Sequence, residues 1–220
     1  MAATPFQLII FDCDGVLVDS ERITNRVFAQ MLNELGLTLT LADMFEQFVG
    51  YSMPQCLEKI AALLGHAPPP GFVAEYRRRS HAALETELLA VAGIEAALDR
   101  IALPYCVASS GDHDKMRTTL GITGLWPRFE GRIFSVTEVA NPKPAPDVFL
   151  HAAQRCGVAP RDCLVIEDSP TGVAAGVAAG MTVFGYAALT PAHRLRTAGA
   201  HRLFEQMEML PALIAAGSIH

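Results

Sequence analysis

The chain has no excess of positive charge, no Cys-x-x-Cys pair, no internal repeat and no low-complexity tract beyond three consecutive prolines. Its 17 basic residues are scattered and outnumbered by 23 acidic ones, for a net charge of −6. A nucleic-acid or anionic-membrane surface gathers lysine and arginine on one face, so neither is expected as the main partner. Charged residues make up only 18% against 51% hydrophobic, which excludes a disordered chain and implies a packed core. The five cysteines (Cys13, Cys56, Cys106, Cys156 and Cys163) are odd in number, in a chain too large to need staples. They read as buried free thiols in a reducing compartment, and the cytoplasm is the expected location. The opening MAATPFQLIIFD has no basic segment before its short apolar run, so no secretory signal is expected. The stretch 173–189, VAAGVAAGMTVFGYAAL, follows Gly172 and continues the G-x-x-x-G spacing through Gly176 and Gly180. It is nevertheless alanine-rich and leads into TPAHRLR. A helix packed tightly on a sheet, a turn and a strand suit it better than a membrane span, and a soluble protein is expected. The seven histidines show no metal-ligand spacing.

What is present begins with LIIFDCDGVLVDSE, residues 8–21. Leu8, Ile9, Ile10 and Phe11 form a continuous apolar run suited to a strand buried on both faces of a parallel sheet. Asp12 and Asp14 follow at its end. Positions two apart on an extended chain point the same way, so both carboxylates should face one spot beyond the sheet edge, with Cys13 turned into the core. Two anions so close need a cation, a shared proton or a basic partner. Gly15 permits a tight turn at that spot.

Beyond the turn, Ile23, Val27, Met31 and Leu35 mark an amphipathic helix over 20–36, with Ser20 as the expected N-cap and Gly36 at the end. Weaker helical patterns follow at 42–48, 54–64 and 72–87, broken by FVGYS and APPPG, with no convincing strand between 18 and 88. From 93 onward helices and short apolar strands alternate: helices 94–101, 113–120, 146–156 and 171–179, strands 104–109, 132–136, 163–167 and 181–186. The expected fold is therefore α/β: a Rossmann-like parallel sheet core with helices on both faces, formed by 1–17 and 89–220, plus an inserted α-helical cap at 18–88.

Ligands of such sheets sit beyond the carboxyl ends of the strands. There the sequence places Asp12 and Asp14, Ser109 and Ser110, Lys143 in NPKPAPD, and Glu167 and Asp168. Clustered carboxylates suit a hard divalent cation, and Mg²⁺ binds through a few of them while keeping several waters. A lysine and a serine beside it supply donors to a phosphate. The composition of the site points to phosphoryl transfer.

The stretches DCDGVLVDSE, VASSG, NPKPAPD and IEDSPTG resemble, in order, the four motifs of the haloacid dehalogenase superfamily, and the helical insert is similar to that family's cap. Within it the resemblance is to the β-phosphoglucomutase-like sugar-phosphate phosphatases, 6-phosphogluconate phosphatases among them, and it spans nearly the whole chain. It implies a Mg²⁺-dependent phosphatase acting on a small phosphate ester, with Asp12 as nucleophile and Asp14 as general acid and then base. It further implies Mg²⁺ held by Asp12, the backbone carbonyl of Asp14 and Asp168, with help from Glu167. Ser109 and Lys143 would hold the phosphoryl oxygens, and backbone N–H groups around Ser110 and Gly111 would add donors.

Each signal has a plainer reading. Asp168 or Ser169, taken alone, is an N-cap for the helix that follows, and Lys143 is a solvated loop lysine. A dehalogenase would lack the second acid, and a receiver module would be much shorter and would carry no helical insert. A β-phosphoglucomutase resembles this chain more closely, but its cap arginine and first-helix histidine fall at Met53 and Thr24 here, and a neutral Met53 cannot hold a second phosphate. Hydrolysis is therefore expected over mutase chemistry, and nothing supports an inactive binding protein. Arg77, Arg78 and Arg79 read first as a solvated helix face and second as a reader of a substrate carboxylate.

Overall fold

The computed structural model describes residues 4–217. Six parallel strands form one sheet: β1 (Leu8–Phe11), β2 (Tyr105–Ser109), β3 (Ile133–Ser135), β4 (Cys163–Glu167), β5 (Thr182–Tyr186) and β6 (Arg202–Phe204), in the order β3-β2-β1-β4-β5-β6. The chain leaves β1 toward β2 on one side and returns to β4 on the other, so the strand order reverses at β1 and opens a crevice at its carboxyl end. The four residues of β1 split between the two faces. Ile9 and Phe11 join one core with Ile94, Leu98, Met116 and Leu120, whereas Leu8 and Ile10 join the other with Val148, Phe149, Ala152 and Val173. Burying an aliphatic side chain so completely is worth about 2–3 kcal/mol, which explains why this run carries no polar residue until it ends.

Helices α5 (Ile94–Arg100), α6 (His113–Ile122), the short α7 (Trp126–Phe129), α8 (Asp147–Cys156), α9 (Pro170–Ala178), α10 (Ala192–Thr197) and α11 (Leu210–Ala216) complete the core layers. The small-residue stretch is resolved as expected into α9, a turn and β5. A Cβ on Gly176 would lie 2.7 Å from Val183, so the glycine lets the helix sit directly on the sheet. No helix among the described residues is long and apolar enough to cross a membrane.

Between β1 and α5 the chain forms α1 (Ser20–Glu34), α2 (Leu41–Gln47), α3 (Met53–Leu64) and α4 (Phe72–Glu87). They enclose their own apolar cluster, with Val27, Phe28, Leu32, Met44, Ile60 and Phe72 at its centre. The two connections to the sheet run side by side: the Asp19 N–H donates to the Leu89 carbonyl at 2.9 Å and the Val91 N–H to the Leu17 carbonyl at 2.9 Å. One expected detail is corrected here. Asp19, not Ser20, occupies the N-cap of α1, and it makes no side-chain cap. Ser20 instead donates its hydroxyl to Asp14 Oδ1 at 2.6 Å.

Candidate active site

Asp12 leaves the sheet last. Its N–H still donates to the Ile166 carbonyl at 2.9 Å, which fixes its backbone as a continuation of β1 beside β4. The Asp14 carboxylate lines the same crevice as that of Asp12, while Cys13 is buried in the core behind them. Gly15 makes the turn at φ +80, and its missing Cβ leaves room for Asp168: a Cβ there would stand 2.1 Å from Asp168 Oδ2. Only glycine meets both conditions without strain.

Lys143 is brought in by the loop before α8. Its ammonium donates to Asp12 Oδ1 at 2.6 Å, Glu167 Oε1 at 2.8 Å and the Ala108 carbonyl at 3.2 Å, and lies over the Phe149 ring. The side chain is 4% exposed, so the plain reading of a solvated loop lysine does not hold. Its pKa is raised: burial works against the charge, but Asp12 and Glu167 outweigh it. The other oxygen of Glu167 accepts from the Ser169 N–H and hydroxyl at 2.8 and 2.9 Å. Ser169, not Asp168, caps α9 by accepting from the Gly172 N–H at 3.0 Å, which leaves Asp168 available to the crevice. Ser109 ends β2 and accepts from the Gly111 N–H at 3.0 Å, while the exposed Ser110 lines the crevice.

The crevice has a volume of about 500 Å³ and gathers every expected site residue: Asp12, Asp14, Ser109, Ser110, Gly111, Lys143, Glu167 and Asp168. It also holds two side chains absent from the sequence expectations, Lys115 and Glu21. Lys115 donates to Asp14 Oδ2 at 2.7 Å, and Ser20 donates to Oδ1 at 2.6 Å. Although burial opposes them, Lys115 and Ser20 hold the Asp14 carboxyl below the usual range. Glu21 is the second, pushed up to about 7 by burial and then by Asp14. Both sit in the first turn of a helix that starts at the crevice. Because Cα–Cβ bonds tilt toward a helix N-terminus, long first-turn side chains reach back to the strand ends, and that position is the signal that could have found them.

Five carboxyls thus face two lysines. Burial, Glu167 and Asp14 push Asp12 up to about 8, with Lys143 pulling the other way. Asp168 is raised well above the carboxylate range by burial, then by Glu167, Glu21 and Asp12, with Lys143 as its main offset. A buried carboxylate surplus of this kind fits a bound cation. Among the described residues, no three Asp, Glu, His or Cys side chains stand together as a ready-made metal cage.

Above the crevice a recess of about 180 Å³ runs into the helical insert, lined by Glu21, Thr24, Asn25, Phe28, Met53 and Tyr76 among others. Arg77, Arg78 and Arg79 do not reach it. Arg77 and Arg78 are exposed, and Arg78 and Arg79 pair with Glu75 on α4, Arg79 also with Glu34. In this structure the three arginines form part of a solvated helix face, the first of the two readings.

Acids, a serine and a buried lysine thus line the switch point of a doubly covered parallel sheet. The chain belongs to the haloacid dehalogenase-like hydrolases, whose family pattern matches residues 6–180. It is 34% identical over 184 residues to the 6-phosphogluconate phosphatase of Escherichia coli (strain K12), covering 83% of each chain. It is 32% identical over 192 residues to hexitol phosphatase A of the same organism, covering 84% of this chain and 85% of that one. The crystal structure of a conserved haloacid dehalogenase-like protein of unknown function from Agrobacterium tumefaciens str. C58 superimposes with a TM-score of 0.92 at 35% identity, covering 96% of this chain and 98% of that one. The protein is a phosphoric monoester hydrolase acting on small phosphorylated metabolites.

Proposed function

We propose that this chain hydrolyses the monophosphate of a small neutral sugar or polyol, with Asp12 as nucleophile and residues 18–88 as the cap that selects the substrate. The observation that carries the substrate reading is the lining of the recess. Among the described residues it holds hydroxyl, amide and apolar side chains and one acid, with no Lys, Arg or His. A substrate carboxylate placed there would meet no counter-charge and would face Glu21, whereas sugar hydroxyls find partners in Thr24, Asn25 and Tyr76. The same lining lacks the positive charge a second phosphate needs, which favours hydrolysis over mutase chemistry.

Asp12, the Asp14 carbonyl and Asp168 would hold Mg²⁺, with Glu167 beside them. When bound, the ion supplies positive charge to the phosphoryl oxygens and offsets the carboxylate surplus. Lys143 and Ser109 hold the phosphoryl group in line with Asp12. A carboxylate oxygen of Asp12 attacks phosphorus, and Asp14 gives a proton to the departing sugar oxygen. The incoming phosphate dianion raises the Asp14 carboxyl so that it carries that proton. Asp14 then takes a proton from water, which attacks the aspartyl phosphate and frees inorganic phosphate.

Phosphate release from a panel of neutral sugar and polyol phosphates and phosphorylated sugar acids, with Mg²⁺ and with chelator, tests the reading. Expected is Mg²⁺-dependent release with kcat/KM at least about 10-fold higher for neutral substrates, the worth of one mispaired charge. Equal or better turnover of the acids would overturn the substrate class. Full turnover in chelator would overturn the metal.

A further inference from the structure

Glu21, Thr24 and Asn25 of α1 form one wall of the recess above the crevice. Their hydrogens are already engaged within the helix. Both amide hydrogens of Asn25 serve Glu21, one donated to its carbonyl and one to Oε2, each at 2.9 Å. The Thr24 hydroxyl donates to the Ser20 carbonyl at 3.1 Å. What the wall keeps for a ligand is lone pairs: the amide oxygen of Asn25, the hydroxyl oxygen of Thr24 and the Glu21 carboxylate. Asn25 is buried, which fixes the carboxylate it holds, while Glu21 Oε1 makes no hydrogen bond or ion pair among the described residues. Glu21 is also, among the described residues, the one charged side chain that lines both the crevice and the recess.

A wall of acceptors is matched by a ligand that brings hydrogens. A sugar hydroxyl does so; an ether oxygen brings only lone pairs and would set acceptor against acceptor. With the phosphoryl group held beside Asp12, the carbons that follow the ester oxygen pass Glu21 where crevice and recess meet. We propose that Glu21 is a specificity-determining residue that accepts a hydrogen bond from a free hydroxyl on the carbon next to the phosphate-bearing one. The substrate class is then the open-chain polyol phosphate. A pyranose 6-phosphate is disfavoured, because ring closure makes that neighbouring oxygen an ether. Thr24 and Asn25 accept from hydroxyls further along the chain. This assignment rests on the neutral-substrate reading above and narrows it.

The remaining lining agrees with this demand. Phe28 and Tyr76, with ring centroids 4.7 Å apart, offer an apolar face to the substrate's carbons. Val49 and Gly50 also line the recess, but their carbonyls are engaged by Arg194 and by the Thr171 hydroxyl. Tyr51 and Tyr76 add phenol hydroxyls that both donate and accept, so they leave the need of the α1 wall for donors unchanged.

The test compares phosphate esters that share a carbon skeleton: glucitol 6-phosphate, glucose 6-phosphate and gluconate 6-phosphate. They are assayed with Mg²⁺ at a pH well above the value of about 7 to which burial and Asp14 push the Glu21 carboxyl. The kcat/KM for glucitol 6-phosphate should exceed that for glucose 6-phosphate by at least about 10-fold. In Glu21→Gln the amide adds a donor for the ring oxygen, and in Glu21→Ala the acceptor is gone; both should bring the ratio to within about 3-fold. Because both substrates are read on one preparation, a variant that is partly unfolded loses both activities together and keeps the ratio. A wild-type ratio near unity, or a ratio unchanged in both variants, overturns the role of Glu21. Faster turnover of gluconate 6-phosphate than of glucitol 6-phosphate overturns the neutral-substrate reading, a failure told apart from that of Glu21 because glucitol and glucose still compare chain with ring.

Discussion

Two lysines divide the acids of the crevice between them, Lys143 holding Asp12 and Glu167 and Lys115 holding Asp14. With Asp12 as the proposed nucleophile, Asp12→Asn takes away the attacking oxygen yet keeps the shape and one acceptor for Lys143. Turnover should fall by at least about 10³-fold while the thermal midpoint stays near that of the parent, checked by phosphate release beside calorimetry. Lys115→Met acts differently. Lys115 lowers the Asp14 carboxyl, so removing it raises that carboxyl, and the alkaline limb of the kcat profile, where the proposed general acid loses its proton, should move to higher pH. A limb that stays in place would separate Lys115 from Asp14 function. The motif acids are legible in the sequence because each closes an apolar run. Lys115 and Glu21 are not, because their place depends on where a helix begins relative to a strand end, and an error of one or two residues in that boundary turns the side chain elsewhere.

At the scale of elements, α9 is seated by its glycines. A Cβ on Gly172 would fall 1.6 Å from Glu167 Oε1, so Gly172→Ala must turn Glu167 away from Lys143 or lift the first turn of the helix. A drop in kcat of about 10-fold or more, with a stability loss of about 1–3 kcal/mol by urea unfolding, is expected. The long elements here were readable: β1 from its unbroken apolar run, α1 from its four-residue spacing, α9 and β5 from alanines and glycines giving way to β-branched residues. The C-terminal part past β5 was not. β6 is three residues, Arg202–Phe204, with only Phe204 fully buried, and α10 spans six residues. Elements that short complete neither a strand alternation nor two helical turns, and tertiary contacts alone fix them.

Across the whole molecule, the insert is fastened over the crevice. Arg194 of α10 donates to the Phe45 carbonyl and, at 2.8 Å, to that of Val49, and the Thr171 hydroxyl donates to the Gly50 carbonyl at 2.6 Å. These contacts hold the loop that places Tyr51 in the lining of both the crevice and the recess. Arg194→Ala should lower kcat/KM for the preferred sugar phosphate by about 10-fold, since charged hydrogen bonds are worth about 1.5–3 kcal/mol, and should affect p-nitrophenyl phosphate, which has no sugar to recognise, much less. Equal losses on both would place Arg194 in general stability. The paired connections, Asp19 to Leu89 and Leu17 to Val91, carry a different consequence. Because the insert leaves and re-enters the sheet at one point, its ends are already joined when the core is folded, and lengthening or exchanging what lies between costs little closure entropy. The insert is thus a cassette: selection, natural or in the laboratory, can trade one recess for another and give the same hydrolytic machinery a new diet.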